Sequence, residues 1–259
     1  SAVKQGNQVK GLEQFDSIIE IGQAPISKMK RSNAATYSGV YTEIRAVFAK
    51  TESAKKAGLT SRHFSFNTPG GRCENCQGLG YVDNNMLFFA DTKAVCPVCR
   101  GNQFRQQVLS VKYKGLSIKD ILDLSIEEGD DHFEGIPKIS KILYLLREAG
   151  LGYLQLGQSL TTLSGGECQR LKFAKELIGN SSGKKSLYLM DEPTTGLHPI
   201  DIEHFLKLLN RITDAGNTVV VAEHNQQLIR NSDWVIDLGP GGGTKGGQIM
   251  FMGTPDGYC

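Results

Sequence analysis

Ser186-Leu187-Tyr188-Leu189-Met190-Asp191-Glu192-Pro193 decides how the chain folds. Five residues of mostly apolar character have the length of a buried strand, and they break at once into two carboxylates and a proline. Twenty-six residues after the acidic pair a second run of the same kind begins, Thr218-Val219-Val220-Val221-Ala222, and it ends at Glu223-His224. A third, Trp234 to Leu238, follows. Between the first two lies a helical pattern from about Ile200 to Ala215, and before the first a helix from Glu167 to Ile178. Buried apolar strands alternating with helices predict an α/β fold with a mostly parallel sheet. Ligands of such sheets bind beyond the carboxyl ends of the strands, where Asp191, Glu192 and His224 stand.

These residue types suit phosphoryl chemistry. The Asp191 carboxylate can hold Mg²⁺, directly or through water, and Glu192 can orient and activate a water for attack on a γ-phosphate. His224 can sense or polarise the same phosphate. Upstream, Leu163-Ser164-Gly165-Gly166-Glu167 opens a helix, and its hydroxyl and glycine N–H groups form an anion site at the positive helix end. Taken singly each feature has a plainer reading: a solvated turn, a structural histidine, a helix cap. Their order and spacing are what carry the inference.

Working outward, four of the six cysteines form two pairs, Cys73-x-x-Cys76 and Cys96-x-x-Cys99, with nineteen residues between them. That spacing fits a tetrahedral zinc site. Each pair runs into a small or basic turn, Gln77-Gly78 or Arg100-Gly101, where glycine lets the backbone bend around a metal. Two disulfides or a redox pair are the alternatives; no export signal favours the first, and the symmetry of the pairs opposes the second. Cys168 lies in an apolar helical pattern and is expected to be buried, and Cys259 is assigned nothing.

The remaining segments read more coarsely. Residues 12–21 end in a strand-like run, 22–39 form a loop, and 38–57 are helical with Val40, Ile44, Val47 and Phe48 on one stripe. Ser117 to Asp123 has a capped helix start, and Pro137 to Ala149 is an amphipathic helix stopped by Gly150. No internal repeat is present, and no apolar run approaches the ~20 residues of a membrane span. The chain begins Ser1-Ala2-Val3 without an initiator Met, as a piece of a longer protein would. The net charge of +2 conceals an asymmetry: residues 1–115 hold sixteen Lys/Arg against eight Asp/Glu, and the rest thirteen against nineteen. The basic half is the candidate for a polyanion, unless its cations are simply scattered and solvated.

Together these motifs resemble the ABC ATPases. Leu163 to Glu167 resembles their signature motif, Leu187 to Glu192 a Walker B segment, Thr195-Gly196-Leu197-His198 the D-loop region, His224 the switch histidine and Gln23 the Q-loop glutamine. The cysteine module between Gln23 and Ser164 narrows the resemblance to the UvrA family of bacterial nucleotide excision repair. So do Arg31-Ser32-Asn33, Ala35-Thr36-Tyr37-Ser38-Gly39, Phe64-Ser65-Phe66-Asn67, Gly70-Gly71-Arg72-Cys73-Glu74, Leu156-Gly157-Gln158 and Asp237-Leu238-Gly239-Pro240. The match runs from about Gly11 to Pro255 and corresponds to the second, C-terminal ATPase half.

The resemblance implies a P-loop NTPase core of ABC type carrying an inserted zinc module and a helical signature domain. It divides the chain into a residual core segment at 1–37, the inserted domain at 38–160 with the zinc module at about 64–107, and the core at 161–259. It implies Glu192 as base, Asp191 for Mg²⁺, His224 and Gln23 as γ-phosphate sensors, and His198 beside the nucleotide. Ser164, Gly165, Gly166 and Glu167 would contact nucleotide held by a partner half. Structural Zn²⁺, ATP and Mg²⁺ are the implied cofactors. DNA, the N-terminal ATPase half, a second copy of the parent and a UvrB-like helicase subunit are the implied partners, in the cytoplasm and away from membranes. Arg31, Lys55, Lys56, Arg62, His63, Arg72, Arg100 and Arg105 are the candidate DNA contacts.

Two departures qualify this. No Gly-x-x-x-x-Gly-Lys-Ser/Thr occurs: Gly179 to Ser186 is one residue short in spacing and precedes a strand, and Gly241-Gly242-Gly243-Thr244-Lys245 has no helix after it. In the family that loop lies upstream of the position of Gly11, so the 259 residues alone are expected to be ATPase-deficient. The second departure is Leu59-Thr60-Ser61-Arg62-His63, which stands where excision-repair members carry a Tyr-Lys-Pro-Gly-Arg run, and Gly22-Gln23-Ala24-Pro25-Ile26-Ser27 departs likewise from the usual Asp-Gln-Ser-Pro-Ile-Gly. A divergent paralogue serving drug tolerance or regulation is therefore one alternative, and an inert zinc-stabilised scaffold is the other.

Overall fold

The computed structural model describes residues 10–24, 26, 31–84, 92–179, 185–242 and 246–258. In chain order these form β1 (Ser17–Ile21), α1 (Ala34–Ser38), α2 (Val40–Ala49), α3 (Glu52–Lys56), β2 (Tyr81–Asn84) and β3 (Thr92–Val95). Five helices follow: α4 (Gln106–Leu109), α5 (Ile118–Asp123), α6 (Ile126–His132), α7 (Pro137–Leu146) and α8 (Gly165–Gly179). The chain then runs β4 (Ser186–Asp191), α9 (Pro199–Asp214), β5 (Thr218–Ala222), α10 (Gln226–Arg230), β6 (Val235–Gly239) and β7 (Gln248–Gly253). Two compact units result, one of residues 1–23 with 180–259 and the other of residues 24–179.

In the first unit β1, β4 and β5 form a parallel sheet in the order β1-β4-β5. β4 takes the centre, and its residues from Ser186 to Met190 are all buried or nearly so. The register sets Ile21 beside Met190 and Asp191 beside Ala222, so the acidic tip of β4 emerges level with the end of β5. α9 turns Ile202, Phe205, Leu208, Leu209 and Ile212 inward at helical spacing. The run at 234–238 does not join the parallel sheet as the sequence pattern predicted. It forms β6 and pairs antiparallel with β7. Nor are all these strands buried: β5 alternates exposed and half-buried residues, and Leu238 is 63% exposed.

The second unit has an aromatic core. Phe48 lies 5.4 Å from Phe64 and Tyr41 5.2 Å from Phe66, between ring centroids, while the Tyr41 hydroxyl donates to the Phe64 carbonyl at 2.7 Å. The loop expected over 22–39 contains α1. Asn33 and Thr36 cap it reciprocally, and Gly39 stops it at φ 92°. The helical stretch 38–57 divides into α2 and α3 because Thr51 leaves the first helix and caps the second. Ser117 caps α5 as expected, with Asp120 returning the bond. α7 ends at Leu146, and the chain continues through a wide turn over 147–151 in which Gly150 takes φ 73°. α8 packs on α1 and α7, burying Leu171, Phe173 and Ala174. It thus clusters with the inserted domain and not with the strands, so this unit extends to Gly179 where the sequence reading drew a boundary after 160. Cys168 is buried on α8. Residues 180–184 and 243–245, within the two glycine-lysine stretches, lie outside the described residues, as do Pro25, Ser27 and Cys259. Among the described residues no helix is long and apolar enough to cross a membrane.

Candidate metal centre and nucleotide face

The two cysteine pairs converge. Their sulfurs all lie within 4.8 Å of one another, with Cys73 Sγ 3.9 Å from Cys96 Sγ and Cys76 Sγ 3.6 Å from Cys99 Sγ. Four sulfurs at ~2.3 Å from one zinc ion stand about 3.8 Å apart, so these separations fit a single tetrahedral metal. They are far too long for disulfides, and all four thiols are free and buried.

The knuckles build this geometry in matched halves. After Cys76 the chain passes Gln77 and Gly78 at φ 50° and 82°; after Cys99 it passes Arg100 and Gly101 at φ 51° and 87°. Leu79 N–H donates to the Cys76 carbonyl at 3.0 Å and Asn102 N–H to the Cys99 carbonyl at 3.0 Å. The sulfurs are bonded from outside as well: Gly80 N–H donates to Cys76 Sγ and the Asn75 side-chain amide to Cys96 Sγ, each at 3.2 Å. Such donors stabilise thiolate charge. Burial raises the Cys76 and Cys99 thiols, while at Cys96 burial is outweighed by the Cys99 N–H, the Asn75 amide and the Val98 N–H, which hold it low. β2 and β3 close the module as a hairpin pairing Tyr81 with Val95. Close backbone approach fixes it to its surroundings: a Cβ on Gly71 would lie 1.7 Å from the His63 carbonyl oxygen, and one on Gly78 2.0 Å from that of Phe66.

In the first unit the sheet brings four sequence-predicted residues together. Gln23 Nε2 donates to the Asp191 carbonyl at 3.3 Å, and His224 Nδ1 stands 3.7 Å from Glu192 Oε1. Both side chains of that pair are open to solvent, His224 at 81% and Glu192 at 49% exposed. Glu192 N–H donates to the Ala222 carbonyl at 2.8 Å, carrying the β4–β5 ladder one step past the sheet, and Glu192 then turns at φ 45°. A non-glycine residue rarely adopts that conformation, and here it directs the carboxylate toward the loop after β5. His198 is exposed at the start of α9. Sequence reasoning gave no role to Glu223 or Thr194, yet the Glu223 side chain is only 3% exposed and is bonded to Thr194. The only signal was position, one residue before His224.

Ser164, Gly165, Gly166 and Glu167 lie in the other unit, at the start of α8. Ser164 N–H donates to Glu167 Oε2 at 2.6 Å and Glu167 N–H to Ser164 Oγ at 3.3 Å, a reciprocal cap. The Tyr153 hydroxyl donates to Glu167 Oε1 at 2.6 Å. Glu167 therefore shapes the helix start, and Ser164 and Gly165 remain exposed.

The candidate DNA contacts divide. Lys56, Arg62 and Arg100 are exposed. Lys55 pairs with Glu52 at 2.8 Å, and Arg105 approaches Glu74 at 3.6 Å. Arg31 donates to the Gln77 side chain at 3.1 Å. Arg72 is largely buried, bonded to Glu74 and to the Asn67 carbonyl, which makes it a brace of the module. His63 Nδ1 accepts from Thr60 N–H at 3.0 Å within its own turn.

No protein-family model matches the chain. Comparison with curated proteins finds UvrABC system protein A of Thermus thermophilus, 51% identical over 248 residues, which cover 96% of this chain and 26% of that protein. UvrABC system protein A of Staphylococcus epidermidis is 51% identical over 258 residues, 99% of this chain and 27% of its own length. Among solved structures, the crystal structure of UvrA2 from Deinococcus radiodurans superposes with a TM-score of 0.83 at 46% identity, over 95% of this chain and 30% of that one. The chain thus spans about a quarter of the length of the curated relatives it matches. With about half of its residues identical to theirs over nearly its whole length, the α/β chain with its four-cysteine cluster belongs to the UvrA family, matching about a quarter of the length of its members.

Proposed function

We propose that the chain is a working segment of an ATP-dependent DNA-damage recognition subunit of nucleotide excision repair. Asp191 holds Mg²⁺, Glu192 activates the attacking water, and His224 and Gln23 read the γ-phosphate. Ser164, Gly165 and Gly166 complete the nucleotide site of a partner ATPase half, and the basic zinc-bearing unit contacts DNA. Zinc, when bound by Cys73, Cys76, Cys96 and Cys99, supplies folding energy on the order of 10 kcal/mol and no step of the reaction. An N-terminal ATPase half, a second copy of the parent and a UvrB-like helicase subunit are the partners this reading calls for. The observation that carries it is the Glu192–His224 approach of 3.7 Å at the end of a parallel strand, in the same chain as a four-thiolate cluster.

A general base adds about 10²–10⁴ in rate, and only when the phosphate is held. Without a phosphate loop in its 259 residues, the chain alone binds ATP weakly and turns it over little. The test has two arms. In the longer protein, Glu192→Gln is expected to abolish ATP hydrolysis. In the 259-residue chain, DNA affinity is expected to fall steeply between about 50 and 200 mM salt, as phosphate contacts require. Hydrolysis that survives the substitution, or DNA affinity indifferent to salt, would refute the corresponding half of the proposal.

One observation favours a divergent role in drug tolerance or regulation. His63, at the position of the family's Arg, spends its Nδ1 on the Thr60 turn. The complementation result separates the two roles: a repair protein restores ultraviolet resistance to a strain lacking UvrA, and a paralogue does not.

A further inference from the structure

β4 and β5 end side by side, and the chain leaves them as two loops, residues 192–198 and 223–225. Glu223 lies at the root of the second, with its side chain 3% exposed. Its two oxygens are divided between the loops. Oε2 accepts from the Thr194 hydroxyl at 2.7 Å and the Thr194 N–H at 3.3 Å. Oε1 accepts from the His224 N–H at 3.0 Å and the Asn225 N–H at 3.2 Å. Asn225 in turn caps α10 through Gln227 and Leu228. One buried carboxylate thus joins the segment carrying Glu192 to the segment carrying His224.

We propose that Glu223 is the positioning residue that keeps Glu192 and His224 on the same reacting phosphate. The proposal rests on the reading of that pair given above and adds what aligns it. Neither side chain is held by packing, since His224 is 81% and Glu192 49% exposed, so their mutual placement depends on the backbone beneath them. That backbone is tied across the gap by Glu192 N–H to the Ala222 carbonyl and by the four bonds to Glu223. Bonds to a buried carboxylate are charge-assisted and roughly twice as strong as neutral ones. A glutamine at 223 keeps one acceptor oxygen and replaces the other with an NH₂ group, which would face the two donors of one loop. That loop would be released, and a displacement of 1 Å at a reacting pair costs about 10²-fold in rate.

The test uses the longer ATP-hydrolysing protein that the proposed function requires, with Glu192→Gln, Glu223→Gln, His224→Ala and the double variant Glu223→Gln/His224→Ala. Glu223→Gln is expected to lower kcat about 10²-fold with KM for ATP unchanged, because Glu223 touches no nucleotide. The double variant is expected to lose less than the product of the two single losses, since Glu223 and His224 serve the same alignment. Wild-type kcat in Glu223→Gln, or losses that multiply in the double variant, would overturn the inference. Failure of the underlying reading looks different: Glu192→Gln would then leave hydrolysis intact. Should Glu223→Gln not fold, Thr194→Val removes one donor and leaves the carboxylate in place; a smaller kcat loss at unchanged KM supports the proposal, and full activity overturns it. On the 259-residue chain, amide hydrogen exchange supplies a readout apart from activity. Thr194 on one side, or His224 and Asn225 on the other, should exchange faster in Glu223→Gln, and unchanged protection of all three would contradict the bridge.

Discussion

Gly78→Ala tests how the metal module is built, because Gly101 is its control in the matching knuckle. Both glycines follow the second cysteine of a pair by two residues, and both sit in the left-handed region, at φ 82° and 87°. A side chain in that conformation costs roughly 1–2 kcal/mol at either position. The surroundings differ. A Cβ at 78 lies 2.0 Å from the Phe66 carbonyl oxygen and 2.9 Å from its carbon, whereas at 101 the nearest atom is Val95 Cγ1 at 3.9 Å. Only Gly78→Ala forces two backbone segments apart, by about 1 Å or more, and overpacking of that kind adds about 1–3 kcal/mol. Metal binding and folding of so small a module are one equilibrium, so these costs appear as metal affinity, at about 1.4 kcal/mol per factor of ten. Gly101→Ala should weaken zinc binding about 10-fold, and Gly78→Ala about 10- to 100-fold further. Competition against a chromophoric zinc chelator measures both. Equal affinities for the two variants would show that the Phe66 contact plays no part, and an unchanged Gly78→Ala would refute the glycine argument altogether.

Further expectations follow from other sites. Cys96→Ser should abolish tight zinc binding, while Cys168→Ser, buried on α8 apart from the cluster, should leave zinc stoichiometry unchanged by metal analysis. Ser117→Ala removes the cap of α5 and should lower stability by about 1 kcal/mol in denaturant melts. Asp120 belongs to the same cap: burial raises its carboxyl, but the Ser117 N–H and hydroxyl and Lys112 outweigh it and hold it below the ordinary 3.8. Its contribution is therefore complete above pH 3.8 and lost as pH falls through the lower folded value, so Asp120→Asn should flatten the acid limb of the stability profile. Burial and then Glu167 push the Tyr153 hydroxyl up from 10.0 to about 12. The stability linked to it is complete below pH 10.0 and lost as pH rises through about 12, and Tyr153→Phe should remove that loss along with one late tyrosinate absorbance step.

The fold was legible where periodicity and chemistry coincide. β4 could be read because an apolar run ends in two acids, and the metal cluster because thiol spacing fixes a geometry that the chain has little freedom to avoid. What escaped notice has physical reasons. The polar composition of 22–39 hid α1, whose stability comes from the Asn33–Thr36 cap and from packing on α8, neither of which is a hydrophobic pattern. The run at 234–238 resembled a buried parallel strand because apolar content does not name a partner; its partner, Gln248–Gly253, holds an apolar run of its own, Ile249 to Met252, which the sequence reading passed over. α8 was read with the strands because Leu163 to Glu167 resembles a motif of nucleotide chemistry, whereas the buried residues of the helix pack on α1 and α7. Glu223 was read as the end of a strand. Its importance lies in donors drawn from two loops thirty residues apart, which only the register of β4 against β5 brings together.

The most direct measurement is X-ray absorption at the zinc edge on the purified 259-residue chain, with metal content determined on the same sample. The four-thiolate module is what narrowed the sequence resemblance to one family, and it uses residues the chain itself supplies. The account predicts one zinc per chain with four sulfurs at ~2.3 Å. A shell containing nitrogen or oxygen, or a chain that folds without metal and with its cysteines oxidised in pairs, would contradict it.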